Sequence, residues 1–234
     1  MKDAKKISVI IAAYNEEPRI ANVLSVVEHH PLIDEIIVIN DGSQDKTVEV
    51  IRKFNVKLID NEKNMGKTLS VKRGIEAAKN NLIMLLDADL NGLNAESIDK
   101  LARPVLDGRV DWTLSLRGNS FGFMRLMHMD WVSGERLVPK QLLLDQLIWS
   151  RPDIGYGLET LMNRSLLSRG ATFQSVYLKE LRITNKSKKN GLVKGLRDEI
   201  RMLRQIMKVA SLHEIIWQFI TMSRLNRKYN KQKN

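Results

Sequence analysis

Short apolar runs alternate with helix-period segments through the first half of the chain, and this alternation restricts the fold more than any other feature. Residues 7–13, 35–40, 56–60, 82–86 and 112–116 are β-branched or leucine-rich runs. Between them, residues 18–28, 45–53, 67–79 and 95–106 carry apolar residues at helical spacing. Continuous apolar strands separated by helices predict an α/β fold, with a mostly parallel sheet covered by helices on both faces. In such open sheets ligands bind outside the carboxyl ends of the strands. The residues just after each strand are therefore where chemistry is to be sought.

Three strand ends are polar. The first runs out into Ala13, Tyr14, Asn15, Glu16 and Glu17, and the second into Asn40, Asp41, Gly42 and Ser43, followed by Asp45 and Thr47. The second also reads as a turn followed by a helix cap, since Asp and Ser are common there. The fourth ends in Asp87, Ala88 and Asp89. Two carboxylates one residue apart at the mouth of a sheet repel each other unless a cation sits beside them. A hard divalent metal with a diphosphate answers that need.

The segment Asn64, Met65, Gly66, Lys67, Thr68 resembles a P-loop only in part, because the glycine that motif needs five residues before Gly66 is replaced by Asn61. What remains is Gly-Lys at a helix start. Its amides and ammonium could face an anion, or the glycine could simply ease a tight helix entry.

Taken together, SVIIAAYNEE, EIIVINDGSQDKT, NMGKTLSVKRGIEAA and NLIMLLDADL, in that order over about ninety residues, closely resemble the nucleotide-binding half of family 2 glycosyltransferases with the GT-A fold. The resemblance implies a nucleoside-diphosphate sugar held with Mg²⁺ or Mn²⁺. It implies that Ala13, Tyr14, Glu16 and Asp41 lie at base and ribose, with Lys67 as a base or phosphate contact. Asp87 and Asp89 would be the Asp-x-Asp motif, with Asp89 the direct metal ligand and Asp87 nearer the ribose or a metal-bound water. Ala12 stands where proline is frequent in the family, and Asn40 replaces the first aspartate of its common Asp-Asp-Gly-Ser turn.

Breaking a sugar–phosphate bond places negative charge on the leaving diphosphate, which a divalent ion and basic side chains stabilise. Arg117, after the fifth strand, resembles the arginine of the Gly-Ser-Arg segment of polyprenyl-phosphate mannosyl- and glucosyltransferases; otherwise it is a solvated surface arginine. Ser133, Gly134, Glu135 and Arg136, then Gly155 to Glu159, resemble a pattern of the dolichyl-phosphate mannose synthase group. Enzymes resembling glucosyl-3-phosphoglycerate synthase share the second stretch. Glu159 falls near the catalytic carboxylate of inverting family members. It is the candidate base for an alcohol acceptor, whereas a phosphate acceptor needs none. Its plain alternative is a helix N-terminal glutamate that favours the dipole. Glu135 is a second, weaker candidate.

Other residues carry less. His29, His30, His128 and His213 lack metal-site spacing. Met124, Met127 and Met129 with Phe121, Phe123 and Trp131 read as core more readily than as an acceptor cleft.

Charge separates the chain into two parts. Of 38 Lys and Arg and 27 Asp and Glu, residues 181–234 hold 14 and 3, so the formal charge of +11 resides there and the preceding part is neutral. A domain over residues 1–190 is expected, with a nucleotide-sugar half to about 117 and an acceptor half from about 118, followed by a basic amphipathic tail over 191–234. In the tail Leu196, Ile200, Leu203, Met207 and Ala210 form one helical stripe, flanked by Arg197, Arg201, Arg204 and Lys208. A second segment from Leu212 to Met222, containing Trp217, is more apolar. This pattern suits either an anionic membrane surface or helices packed on the domain with solvated charges. No nucleic-acid motif accompanies the basic residues. With no cysteine, signal peptide or long apolar run in evidence, a cytoplasmic setting is expected, peripheral on the inner face of the cell membrane. The expected activity is metal-dependent sugar transfer to a lipid-linked or membrane-proximal acceptor such as polyprenyl phosphate. A soluble transferase with a small phosphorylated acceptor and a non-catalytic membrane adaptor are the alternatives.

Overall fold

A computed structural model describes residues 6–120, 124, 128–149, 157–183 and 204–230. The strands are β1 (Ile7–Ala13), β2 (Ile33–Asn40), β3 (Lys57–Asp60), β4 (Leu82–Asp87), β5 (Leu90–Asn91), β6 (Trp112–Arg117), β7 (Arg136–Pro139), β8 (Phe173–Leu178) and β9 (Arg182–Ile183). The described helices are α1 (Ile20–Val27), α2 (Thr47–Ile51), α3 (Lys67–Ala77), α4 (Ala95–Leu106), α5 (Lys140–Leu143), α6 (Gln146–Trp149), α7 (Gly157–Ser168) and α8 (Leu212–Asn230). Among the described residues seven strands make one sheet in the order β3-β2-β1-β4-β7-β6-β8, and β5 pairs separately with β9.

The expected mostly parallel, helix-flanked sheet is present. β3, β2, β1 and β4 are mutually parallel, and β8 is parallel to β6. The departure is β7, which lies between β4 and β6 and runs antiparallel to both. Its four residues, Arg-Leu-Val-Pro, are too few to show a period, which is why the sequence pattern missed it. β8 was missed for a different reason. Its Phe-Gln-Ser-Val-Tyr-Leu places Gln and Ser side by side in mid-strand, so no continuous apolar run marks this last strand of the sheet.

The central strands are buried on both faces, as their unbroken apolar runs require. Successive side chains point to opposite faces. Val9 and Ile11 therefore join Leu24, Ile98 and Leu101 on one side, while Ile10 joins Val71, Ile75, Leu158 and Met162 on the other. Each such aliphatic side chain, fully buried, contributes about 1.5–3 kcal/mol. The α4 start follows its sequence: Asn94 accepts from the Ser97 amide at 2.9 Å, satisfying one free N–H of the first turn.

The segment expected as a separate tail is partly docked on the domain. The helix α8 packs on β8 and α7, and its Met222 is fully buried in the second core. Asn226 accepts from the Ser175 amide of β8 and donates to the His128 carbonyl, both at 2.8 Å. Arg164 of α7 forms an ion pair with Glu214, and Gln218 donates to the Thr160 carbonyl at 3.3 Å. The boundary expected at 190 lies outside the described residues, as do Arg197 and Arg201. Among the described residues no helix is long and apolar enough to cross a membrane.

Candidate active site

Parallel pairing brings three strand ends to one edge of the sheet. Ala13 aligns with Asn40, and Ala12 with Asp87. The polar turns that follow in sequence thereby become neighbours in space.

The first two turns are tied together by their own side chains. The Asn15 amide donates to Ser43 Oγ at 3.0 Å, the Gln44 amide to Asn15 Oδ1 at 2.9 Å, and the Glu16 amide to Thr47 Oγ1 at 2.8 Å. Asn15 takes φ 54°, a left-handed conformation that asparagine tolerates better than most residues. Ala13 is buried, its carbonyl accepting from the Asp41 amide at 2.8 Å. The Tyr14 side chain, by contrast, stands 44% exposed at the rim, open to a planar ligand. Glu16 is buried and paired with Arg19 at 2.6 Å. That hydrogen bond raises the Arg19 guanidinium above its usual range; burial opposes it, and Asp89 is among the acids adding to it.

Asp41 is buried too, and its carboxylate is occupied. It accepts from the amides of Met65 at 2.8 Å and Gly66 at 2.9 Å, and from Asn61 Nδ2 at 3.0 Å. The amides of the Gly-Lys segment do face an anion, but in this structure the anion is Asp41. Gly66 makes this possible, since φ 88° there would strain any residue with a side chain.

Lys67, first residue of α3, turns to the centre of the site. Its ammonium donates to Asp87 Oδ1 at 2.8 Å and to Glu159 Oε1 at 2.9 Å. Burial works against the charge on Lys67, but the two carboxylates outweigh it and hold its pKa above the usual range. Burial would likewise lift Asp87; the cations Lys67, Arg117 and Arg136 overcome this and hold it below the usual carboxylate range. Gly134 is the seat of Asp87. A Cβ at position 134 would stand 2.9 Å from Asp87 Oδ1 and 3.0 Å from Oδ2, closer than carbon and oxygen can pack.

Behind this triad lies a buried ionic network. Arg117 is 11% exposed, paired with Asp130 at 3.1 Å and with Glu135 at 3.6 Å. It is not a solvated surface arginine. Burial disfavours its charge, yet Glu135, Asp130 and Asp87 raise its pKa. Glu135 also accepts from Ser115 and Ser133, each at 2.6 Å. With no exposed surface, Glu135 is out of reach of an acceptor, which corrects its reading as a second candidate base. Arg136, fully buried, donates to Asn163 and to the Ser133 carbonyl and lies 5.8 Å over the Trp112 ring. Burial pulls its pKa down, against the opposing pull of Glu159, Glu135 and Asp87.

Sequence reasoning missed the part played by Asp130, the buried counterion of Arg117, because no motif surrounds it. It also missed Arg19. Gly134 and Arg136 lay inside a quoted motif, but their contacts to Asp87 and Trp112 carry no sequence signal. His30 is a satisfied interior histidine, its Nε2 3.2 Å from the Ala95 carbonyl. Met129 is fully buried in the core, with Trp131 packed against it; Phe121, Phe123 and Met127 lie outside the described residues. An open cavity of about 350 Å³ between α4 and β8 holds none of the motif residues.

Asp87 and Asp89 offer hard oxygen ligands suited to Mg²⁺ or Mn²⁺. Among the described residues no group of three or more acidic or histidine side chains gathers for a metal. Two carboxylates suit a divalent ion that takes its other ligands from water and a diphosphate, as Mg²⁺ sites commonly do. Bound there, such an ion would supply Lewis-acid stabilisation of the leaving diphosphate.

A helix-flanked, mostly parallel sheet of this kind is the architecture of GT-A glycosyltransferases. The chain belongs to glycosyl transferase family 2, whose family model matches residues 8–170. It is similar to poly-beta-1,6-N-acetyl-D-glucosamine synthase of Staphylococcus epidermidis, with 41% identity over 88 residues, 36% of this chain and 21% of that protein. It is also similar to 4,4'-diaponeurosporenoate glycosyltransferase of Staphylococcus aureus, with 32% identity over 102 residues, 42% of this chain and 27% of that protein. These matches span about a quarter or less of the relatives' length. Among solved structures it resembles glucosyl-3-phosphoglycerate synthase from Mycobacterium tuberculosis in complex with Mn²⁺, UDP-glucose and phosphoglyceric acid. The TM-score is 0.70 at 21% identity, covering 89% of this chain and 80% of that one. The same synthase with Mg²⁺ and UDP aligns with a TM-score of 0.70 at 22% identity, covering 89% and 79%.

Proposed function

We propose that this chain transfers a hexosyl group from a nucleoside-diphosphate sugar, held with Mg²⁺ or Mn²⁺ at Asp89 and Asp87, to an acceptor presented at a membrane surface, such as polyprenyl phosphate. The observation that carries the donor half is the convergence of Asp87, Lys67 and Glu159 within hydrogen-bond distance at the strand ends. Tyr14, Glu16 and Asp41 take the nucleoside end; Asp41 acts partly through the amides it already holds. Lys67 faces the diphosphate, and Arg117 and Arg136 lend positive potential from behind.

In the reaction the bond between the anomeric carbon and the diphosphate oxygen breaks, and its electron pair stays on the diphosphate. A new bond forms from the acceptor oxygen to the anomeric carbon. If the acceptor is a phosphate it arrives ionised and no proton moves. If it is an alcohol, its proton passes to the Glu159 carboxylate, whose Oε1 holds Lys67. The family relationship and the metal-bound neighbours support the donor and the divalent ion. The basic C-terminal region supports the membrane-presented acceptor and a peripheral place on the inner face of the cell membrane.

The burial of Glu159 beside Lys67 favours one second reading: a small phosphorylated alcohol as acceptor, with Glu159 as base. Thermal-shift measurements with nucleoside-diphosphate sugars, with and without Mn²⁺, should identify the donor. Transfer to polyprenyl phosphate, and to a phosphorylated alcohol, then separates the two readings. Asp89→Ala should abolish transfer; full activity in that variant would overturn the assignment.

A further inference from the structure

The helix α8 carries apolar side chains on both faces. Its inward face buries Met222 with the polar Gln218, Ser223 and Asn226, and Phe219 and Leu225 pack there half-buried. Its outward face starts apolar: Leu212 is 63% exposed, Ile216 48%, Trp217 46% and Ile220 43%. Further along, Arg224, Arg227 and Lys228 are exposed as well. Positions 213, 216, 217, 220, 224, 227 and 228 recur at three- and four-residue steps, so they share one face, with Leu212 at its N-terminal margin. That face holds no carboxylate, because Glu214, the single acid of α8, is turned onto Arg164.

The two faces have different causes. Asn226 is needed inside to satisfy the Ser175 amide at the outer edge of β8 and the His128 carbonyl, which would otherwise be left unpaired. No comparable contact requires Trp217, Ile216 and Ile220 outside. Exposing four large apolar side chains within three turns costs free energy that an occupant of that face would recover.

We propose that the outer face of α8 is a docking surface for an anionic lipid bilayer, with the helix lying in the plane of the interface. Leu212, Ile216, Trp217 and Ile220 enter the headgroup boundary, and Arg224, Arg227 and Lys228 reach lipid phosphates. Indole and isoleucine beside long cationic side chains match the layered chemistry of that boundary, apolar below and anionic above. Arg204 and Lys208, exposed just before α8, extend the basic margin. A second copy of the chain is the poorer occupant, because it would bring two basic faces together. The inference deepens the reading of a membrane-presented acceptor and rests on it for its purpose, while the contact itself is measured without turnover.

The test is flotation of the 234-residue chain with vesicles of phosphatidylcholine alone and with one-third phosphatidylglycerol. Binding is expected on the anionic vesicles, with at least tenfold weakening in 0.5 M salt. The Trp217→Glu/Ile220→Glu variant should lose binding at least tenfold, and Arg224→Glu/Arg227→Glu should lose the preference for anionic lipid. Both variants should keep the wild-type thermal shift with donor and Mn²⁺, since neither pair touches the strand ends. No flotation of the wild type, or unchanged flotation of Trp217→Glu/Ile220→Glu, overturns the proposal. So does a wild-type dimer that this variant converts to monomer, which would assign the face to a second copy. Vesicle binding without transfer to any lipid acceptor would leave the docking surface standing and refute only the acceptor reading.

Discussion

The Lys67 ammonium joins Glu159, ninety-two residues away in sequence, at 2.9 Å while also holding Asp87 at 2.8 Å. One cation thus bridges a carboxylate at the end of β4 and another in the first turn of α7. It makes the end of β4 and the start of α7 a single electrostatic unit.

Removing that cation should invert the pH dependence of stability. In the wild type the depressed pKa of Asp87 contributes stability that is present above the ordinary carboxylate pKa of 3.8 and is lost as pH falls further through the folded-state value. The raised pKa of Lys67 contributes stability that is complete below 10.5 and declines only at higher pH. In Lys67→Met, the carboxylates of Asp87 and Glu159 lose their shared partner, and burial then lifts the Asp87 carboxyl. Stability should then increase as pH is lowered from 7 to 5. Melting temperature against pH checks this, and parallel curves for wild type and variant would contradict it.

Glu159→Gln should discriminate between acceptor classes. For an alcohol acceptor the loss of the base is expected to lower kcat by about 10²–10⁴. For a phosphate acceptor the loss should stay within about tenfold, arising from the altered partnership with Lys67. Steady-state rates with each acceptor, at saturating donor, make the measurement.

Gly134→Ala should damage activity more than folding. Its Cβ would lie 2.9 Å from Asp87 Oδ1, so the carboxylate must move away from its place between Gly134 and Lys67. A shift of that kind typically costs about 1–3 kcal/mol in stability. Transfer should fall more than tenfold, with weakened metal-dependent donor binding. Urea unfolding alongside calorimetric titration of donor separates the two effects.

Asn226→Ala should loosen α8 from the domain. It leaves the Ser175 amide and the His128 carbonyl without their 2.8 Å partners. A buried polar group left unpaired costs about 1–3 kcal/mol. Hydrogen exchange should accelerate across α8 and β8 and stay unchanged in β1 and β4.

Much of the scaffold was legible from residue order. The runs that became β1, β2, β4 and β6 were visible because strands buried on both faces must be continuously apolar. The α4 bounds were likewise recovered as Ala95–Leu106. What escaped was short or lay at an edge, as with β7 and β8. Within the site, Asp87 and Asp89 stood out because two acids separated by one residue after an apolar run are costly without a purpose. Asp130 did not, since an isolated aspartate acquires meaning only when Arg117 is packed against it.

The sequence alone determined the class of fold, the strand ends at which chemistry gathers, and the separation of a neutral region from a basic one. These are properties of local order, carried by periodicity and by residue type. Tertiary structure decided the partnerships: Lys67 with both Asp87 and Glu159, Asp41 with the amides before α3, Arg117 with Asp130 and Glu135, and Asn226 with β8. It also decided which side of α8 faces outward. Each depends on distances between segments far apart in the chain, and burial makes every one of those pairings matter, because a charge or amide removed from water must find a partner wherever packing has placed one.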